Sequence, residues 1–345
     1  MDKKKLITSL VFIIIVGAVI ISLTVSKKSY AVGTTLVDTV KALNKGSSYG
    51  AGASGVYYTN SHEYRYIGAE VNNYVKFNND LYRIIGVFDS NSHGVTGTEL
   101  VKLIRARSLG GYSWGVYNTD NSAGTYSGYA NDWTGKSKTS KANLNVLFNE
   151  YFYNKTDTSS TYGDCANWTY YSSNNSYKTK DCSDIITYGI DSSLRGYIET
   201  TTWYLYGSGT AQSKQNWYLC ERGGNSCTAS GPSTGDTSVT SKVGLMYLSD
   251  YLYASGYYSS TDTSNQGQYY FGNKNWLYKG YEWTLTPYAS DANRVWYVFN
   301  GSASNYSTNY PDGSRPTFYL KSSVYVTGGN GSFDDPYTLG CDNCS

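Results

Sequence analysis

The sequence predicts an α+β fold with antiparallel pairing. A strand–turn–strand unit opens the folded part, helical segments occupy the middle, and short strands fill the C-terminal third. That order is not the regular β–α alternation of a parallel sheet. Composition agrees with a folded domain. Of 345 residues 16% are charged, well under the usual ~25%, and 39 are Tyr. Such a chain is too aromatic for a disordered tail, and without long charge runs it is no coiled coil.

At the N-terminus, Lys3–Lys5 precede an apolar stretch from Leu6 to Val25, and Ser29-Tyr30-Ala31 offers small residues around a signal-peptidase site. Residues 1–31 therefore read as a signal peptide or as a hydrophobic helix anchoring the chain through residues 6–25; cleavage and retention stay open. The positive-inside rule puts the rest on the extracellular face of a bacterial membrane, or in the medium if secreted. The formal charge of +2 divides into +4 over residues 1–31 and −2 over residues 32–345. The ectodomain thus has no electrostatic reason to bind nucleic acid.

Six cysteines fit an exported chain and fall into sequence-near pairs: Cys165 with Cys182, Cys220 with Cys227, and Cys341 with Cys344. Six cysteines allow fifteen connectivities, of which the local set is preferred; a bridge from Cys165 to Cys182 would be worth roughly 3 kcal/mol. Cys341-Asp-Asn-Cys344 has the spacing of redox or zinc sites, but no second ligand pair accompanies it.

Residues 32–60, rich in Gly and Ser, read as a flexible linker apart from a short helix over Val37–Leu43. Asn73–Phe77 and Leu81–Phe88 flank Asn78-Asn79-Asp80 as a hairpin, and Leu100–Arg107 is a third strand. Lys141–Tyr153 repeats apolar residues at Leu144, Leu147, Phe148 and Tyr151, and a second helix is expected over Asp191–Trp203. The polar stretches 154–184 and 207–241 read as long loops. Val243–Leu248 leads into a helical turn at 249–252; Trp283–Leu285, Arg294–Phe299, Arg315–Leu320 and Val324–Val326 are strand-like. The folded domain spans 61–340, with 341–345 as a tail.

The strings Trp283-Thr-Leu-Thr-Pro287, Val295-Trp296-Tyr297-Val298 and Arg315-Pro316-Thr-Phe-Tyr-Leu320-Lys-Ser resemble the end of C-type-lectin-like domains, in the bacterial surface branch related to formylglycine-generating enzyme. Residues 73–88 are similar to that group's opening hairpin, and Val243–Asp250 to its middle strand-to-helix segment. The resemblance covers residues 61–340. It implies a mixed α+β domain whose terminal strands pair and whose long loops present a ligand surface. Two departures matter. The reactive cysteine pair of the oxidising enzymes would lie inside the domain, whereas Cys341 and Cys344 follow the last strand. The Glu-Pro-Asn, Gln-Pro-Asp and Trp-Asn-Asp motifs of calcium-dependent sugar binding are missing; Asn131-Asp132-Trp133 has another order. No catalytic residue and no metal site is carried over.

Other motifs lack their structural setting. Gly50-Ala-Gly-Ala-Ser-Gly55 matches the dinucleotide fingerprint, and Gly46-Ser-Ser-Tyr-Gly50 the nucleophile elbow; neither has the flanking strand and helix. No cofactor is implied. A structural calcium at Asp334-Asp335 with Asp312 is weaker than plain turn chemistry.

Tyr, Ser, Gly and Asn dominate the polar stretches, as in antibody paratopes. The segment 300–310, read as a loop between two strands, supplies the candidate contacts Tyr306, Tyr310 and Asn300, with Trp276 at their rim. The function expected is non-catalytic binding of a carbohydrate or surface protein ligand. A pilin-like structural role through the N-terminal helix and a formylglycine-type oxidoreductase are the alternatives.

Overall fold

Asn78 and Asn79 both take left-handed backbone angles (φ 55° and 57°), which closes a two-residue hairpin turn with the hand of twisted strands. That hairpin lies in the larger of two main sheets of a computed structural model. The structure describes residues 33–50, 52–115, 131, 133, 143–155, 169–171, 177–179, 183–224, 227–229, 237–256, 274–291, 293–308 and 310–344. The expected N-terminal hydrophobic helix lies outside these residues. So does the expected bridge between Cys165 and Cys182, since neither Cys165 nor Cys182 is among them. Among the described residues no helix is long and apolar enough to cross a membrane.

The chain enters through α1 (Leu36–Ala42), then β1 (Gly55–Tyr58) and β2 (Tyr64–Ile67). The hairpin β3 (Tyr74–Phe77) and β4 (Asp80–Phe88) follows, then α2 (Ser90–His93), β5 (Leu100–Arg105) and β6 (Gly111–Ser113). Next come α3 (Asn143–Val146), running into a π-helical stretch Leu147–Tyr153, β7 (Thr169–Tyr171), β8 (Tyr177–Thr179) and α4 (Ser183–Thr187). A 3₁₀ turn, Ser192–Tyr197, leads to β9 (Thr201–Tyr204), β10 (Tyr206–Gly207), α5 (Lys214–Glu221), β11 (Thr228–Ala229) and β12 (Ser238–Ser241). The last third holds β13 (Val243–Gly244), α6 (Leu248–Tyr253), β14 (Glu282–Pro287), β15 (Arg294–Phe299) and β16 (Ser302–Ser307). It ends with β17 (Pro311–Gly313), β18 (Thr317–Leu320), β19 (Tyr325–Gly328) and β20 (Tyr337–Gly340).

Helices and strands are mixed, and pairing is mostly antiparallel, as an α+β fold requires. The large sheet runs β13-β18-β5-β4-β3-β20-β19, with β2 and β1 added on the far half of β4. Gly86 permits that addition: a Cβ there would meet Tyr64 O at 2.2 Å. The second sheet runs β16-β15-β14-β17-β6. Chain ends meet in the large sheet, where β20 pairs in parallel with β3 and Leu36 N donates to Val324 O at 2.8 Å.

Several expectations change. Residues 32–60 are not a free linker: Thr35 caps α1 by accepting from Asp38 N at 3.0 Å, and Leu36, Val37 and Val40 are buried in the core. The helix over Asp191–Trp203 stops at Tyr197. Gly196 sits where a Cβ would meet Cys344 O at 2.0 Å, and the threonines at 200–202 then favour the extended β9, which pairs with β12. Among its described residues the stretch 207–241, expected as a loop, holds the helix α5 and the strands β11 and β12. Ser213 caps α5 by accepting from Asn216 N, and Trp217, Tyr218 and Cys220 are buried beneath it. Parts of 154–184 form β7, β8 and α4. Of the three expected disulfides, two are described, joining Cys220 to Cys227 and Cys341 to Cys344. The third, Cys165 to Cys182, is not among them, because Cys165 and Cys182 fall outside the described residues. The end of the chain is thus a closed turn packed on the core and not a free tail.

One polar cluster is fully buried. Arg65 on β2 donates to Glu63 Oε2 (2.6 Å) and to Asp250 Oδ1 (2.9 Å), and Lys102 on β5 donates to Asp250 Oδ2 (2.6 Å). Asp250 also accepts from Tyr247 N at 2.9 Å, capping α6. Glu221 accepts from Ser249 N, Ser249 Oγ and Thr286 Oγ1. Phe88, Trp203, Tyr247 and Tyr319 surround the ammonium of Lys102 at 4.5–5.5 Å. The cluster ties β2, β5 and α6 together with every carboxylate partnered.

Candidate functional site: an aromatic row beside Asp312

The second sheet carries its aromatics on one face because strand side chains alternate. On β15, Tyr297 and Phe299 point one way, while Trp296 points into the core against Trp217 and donates to Ser208 O at 2.8 Å. Trp283 of β14 sits opposite Tyr297, and Tyr306 of β16 sits opposite Val295, diagonal to Tyr297. Five rings follow one another: Tyr281 to Phe299 at 5.2 Å, Phe299 to Tyr297 at 5.9 Å, Tyr297 to Tyr306 at 5.1 Å and Tyr306 to Tyr310 at 4.7 Å. Tyr297 and Tyr306 stack within 21° of parallel. Trp283 backs the row, fixed by its bond to Tyr112 O at 2.8 Å. One end is open: Tyr281 is 48% exposed and Phe299 37%. Tyr306 and Tyr310 are half-buried, and Tyr297 between the two ends is buried, 5% exposed.

Asp312 of β17 stands beside this row. Its charge, after burial, pushes up the hydroxyl pKa of both Tyr297 and Tyr306, which places it within electrostatic reach of each. Among the described residues its buried Oδ2 has no hydrogen-bond partner, and burial raises its carboxyl to about 6. A desolvated acceptor with no internal donor next to aromatic rings is a common form of a polar ligand contact.

The structure brings Tyr306 and Tyr310 together but gives the other two candidates different roles. Residues 302–307 form β16, so the segment 300–310 is a hairpin arm and not a loop. Asn300 (φ 47°) and Gly301 (φ 80°) form its two-residue turn, where only Gly and Asn take such angles at low cost. Trp276 is 2% exposed and is no rim residue; it donates to Tyr66 O at 2.7 Å and packs on the Arg83 guanidinium. Sequence reasoning missed Tyr281, Tyr297, Phe299 and Asp312. The Asn300-Gly301 dipeptide is the signal for Tyr297 and Phe299, because a tight turn there makes 302–307 a strand and aligns Tyr306 with β15; Tyr281 and Asp312 join through the pairing of β14 and β17.

Among the described residues no three His, Cys, Asp or Glu side chains are grouped to hold a metal ion. Asp335 caps its own turn, its carbonyl accepting from Asn330 N and Gly331 N. Comparisons with protein families, with characterised proteins and with solved structures return no match for this chain.

Proposed function

We propose that this chain is an exported, non-catalytic binding protein with a C-type-lectin-like ectodomain, and that Tyr281, Phe299, Tyr306 and Tyr310, linked through the buried Tyr297 and lying beside Asp312, contact a carbohydrate. The observation that carries the reading is this ordered, partly exposed row with a carboxylate next to it whose Oδ2 has no hydrogen-bond partner among the described residues. Sugar rings offer apolar C–H faces that lie on aromatic rings, and their hydroxyls are donors for a carboxylate. Tyr contributes area at small entropic cost because it has few rotatable bonds. Support for the lectin-like fold comes from the mixed α+β architecture, the chain ends joined in one sheet and the motif strings of β14, β15 and β18. The two disulfides favour an oxidising compartment, and export through residues 1–31 belongs to the same reading.

Affinity electrophoresis of the full chain in gels cast with a neutral β-glucan, a galactomannan or glycol chitin tests it. At least one should retard the protein, and Tyr281→Ala with Phe299→Ala should weaken that binding by about tenfold or more. No retardation by any of the neutral polymers, or retardation unchanged in the variant, overturns the reading.

A further inference from the structure

A cavity of about 310 Å³ that shares no lining residue with the aromatic row is walled by Tyr74, Leu81, Ala106, Arg107, Lys279 and Phe333. Its charges do not balance. Arg107 and Lys279 have no ion-pair or hydrogen-bond partner for their side chains among the described residues. Behind Tyr74 lies Arg83, buried, with its guanidinium 4.3 Å from the Tyr74 ring and 4.5 Å from that of Trp276. Its acceptors are all neutral: Asn73 Oδ1 at 2.6 Å, Trp276 O at 3.0 Å and Val71 O at 3.2 Å. Two further cations nearby are matched, Arg105 by Asp80 and Arg315 by Glu282, each at 2.6 Å. Among the described residues, Arg107 and Lys279 at the wall and Arg83 behind Tyr74 thus form no ion pair, although Glu282, which pairs with Arg315, also acts on Lys279. Asp334 and Asp335, next to Phe333 in sequence, line no part of it.

The mutual strain of these cations is consistent with that count. Burial, with Arg83 and Arg315 as neighbours, pushes the Lys279 ammonium below its ordinary range. Burial and Arg315 push Arg83 down to about 10 even though the Tyr74 hydroxyl works the other way. Arg107 and Lys279 are exposed and Arg83 alone is buried, so an anion at the cavity would gain from two unpaired surface cations and from the field of the buried Arg83.

The walls define the rest of the ligand. Phe333 is 59% exposed and meets Tyr74 edge-on at 5.4 Å. It sits there because its turn is built, not loose: Tyr74 N donates to Gly331 O at 2.8 Å, and Ser332 N to Asn330 Oδ1 at 2.9 Å. Leu81 and Ala106 add apolar surface to the wall.

We propose that this cavity is a second ligand site, for an anionic group (carboxylate or phosphate) carried on a small body with one apolar face. Arg107 and Lys279 hold the anion, Arg83 supplies field from behind, and Phe333 with Tyr74 covers the body. The site depends on none of the residues of the aromatic row, so it stands or falls separately from carbohydrate binding there.

Calorimetric titration of the full chain with glucuronate, glycerol 1-phosphate, glucose and glycerol tests it, at low and at physiological salt. At least one anionic probe should bind, the neutral probes should not, and affinity should fall as salt rises. Which anion binds tells whether the natural group is a carboxylate or a phosphate. Lys279→Gln and Arg107→Gln, both at exposed positions, should each weaken the anion by about tenfold, and Phe333→Ala should weaken it while keeping the preference for charge. Equal binding of charged and neutral probes, no binding of either anion, or anion affinity unchanged in the Lys279→Gln/Arg107→Gln double variant overturns the proposal.

Discussion

Asp250 and Asp312 show what environment does to one functional group. At Asp250 burial opposes the charge, but Lys102 and Arg65 outweigh it and hold the carboxyl down at about 2. A depressed carboxylate stabilises the fold above its unfolded pKa, near 4, and that contribution is lost as pH falls towards 2. It amounts to about 2 kcal/mol. Asp250→Ala leaves Lys102 buried and unmatched and Arg65 with Glu63 alone, so it should cost roughly 3–5 kcal/mol in a urea melt. A change under 1 kcal/mol would mean the cluster is solvated. Asp312 has the opposite sign. Its carboxyl is raised to about 6 by burial, so stability is lost as pH climbs from the unfolded value through 6. Because the group is only partly buried, Asp312→Asn should gain only about 1 kcal/mol at neutral pH. The same variant should weaken carbohydrate binding, and wild-type affinity should drop as pH falls through 6 and the acceptor is protonated. A stabilised variant with full affinity would remove Asp312 from the contact surface.

At the scale of elements, the β15–β16 hairpin decides whether the aromatic row exists. Its turn needs a left-handed residue at Gly301, so Gly301→Ala should cost about 1 kcal/mol or more and loosen the stacking of Tyr306 on Tyr297. Near-ultraviolet circular dichroism of the variant should show a weaker tyrosine signal; an unchanged spectrum and melt would show that the turn is not needed. The hairpin and helix segments with strong local signals were legible in the sequence: Asn78-Asn79 between apolar runs, and Leu144, Leu147, Phe148 and Tyr151 at helical spacing. Strands such as β16, Ser-Ala-Ser-Asn-Tyr-Ser, were not. Their small polar residues carry little strand preference of their own, and pairing with β15 supplies it. Likewise α5 has a polar sequence whose helix depends on burying Trp217 against Trp296.

Over the whole molecule, the fold is closed by its ends. α1 and the residue before it bond to β19, and β20 fills the position between β19 and β3. These contacts link segments about three hundred residues apart and form only when the rest is in place. A chain ending at residue 330 would leave the edge of β3 unpaired and Tyr337 missing from the core. It should lose cooperative unfolding by calorimetry, and a sharp transition at the full-length temperature would show that β20 is an appendage.

Sequence alone determined the α+β class, the hairpin at 73–88, the two disulfides described, and the closeness of Tyr306 to Tyr310, because these rest on local periodicity, turn chemistry and neighbouring residues. Tertiary structure decided which face the tyrosines share, that Trp276 is buried beside Arg83, that Asp312 meets the row and that Arg107 and Lys279 line one cavity. Those are juxtapositions of distant segments. Pairing register, burial and unmatched charge are properties of the packed chain, and no window of sequence contains them.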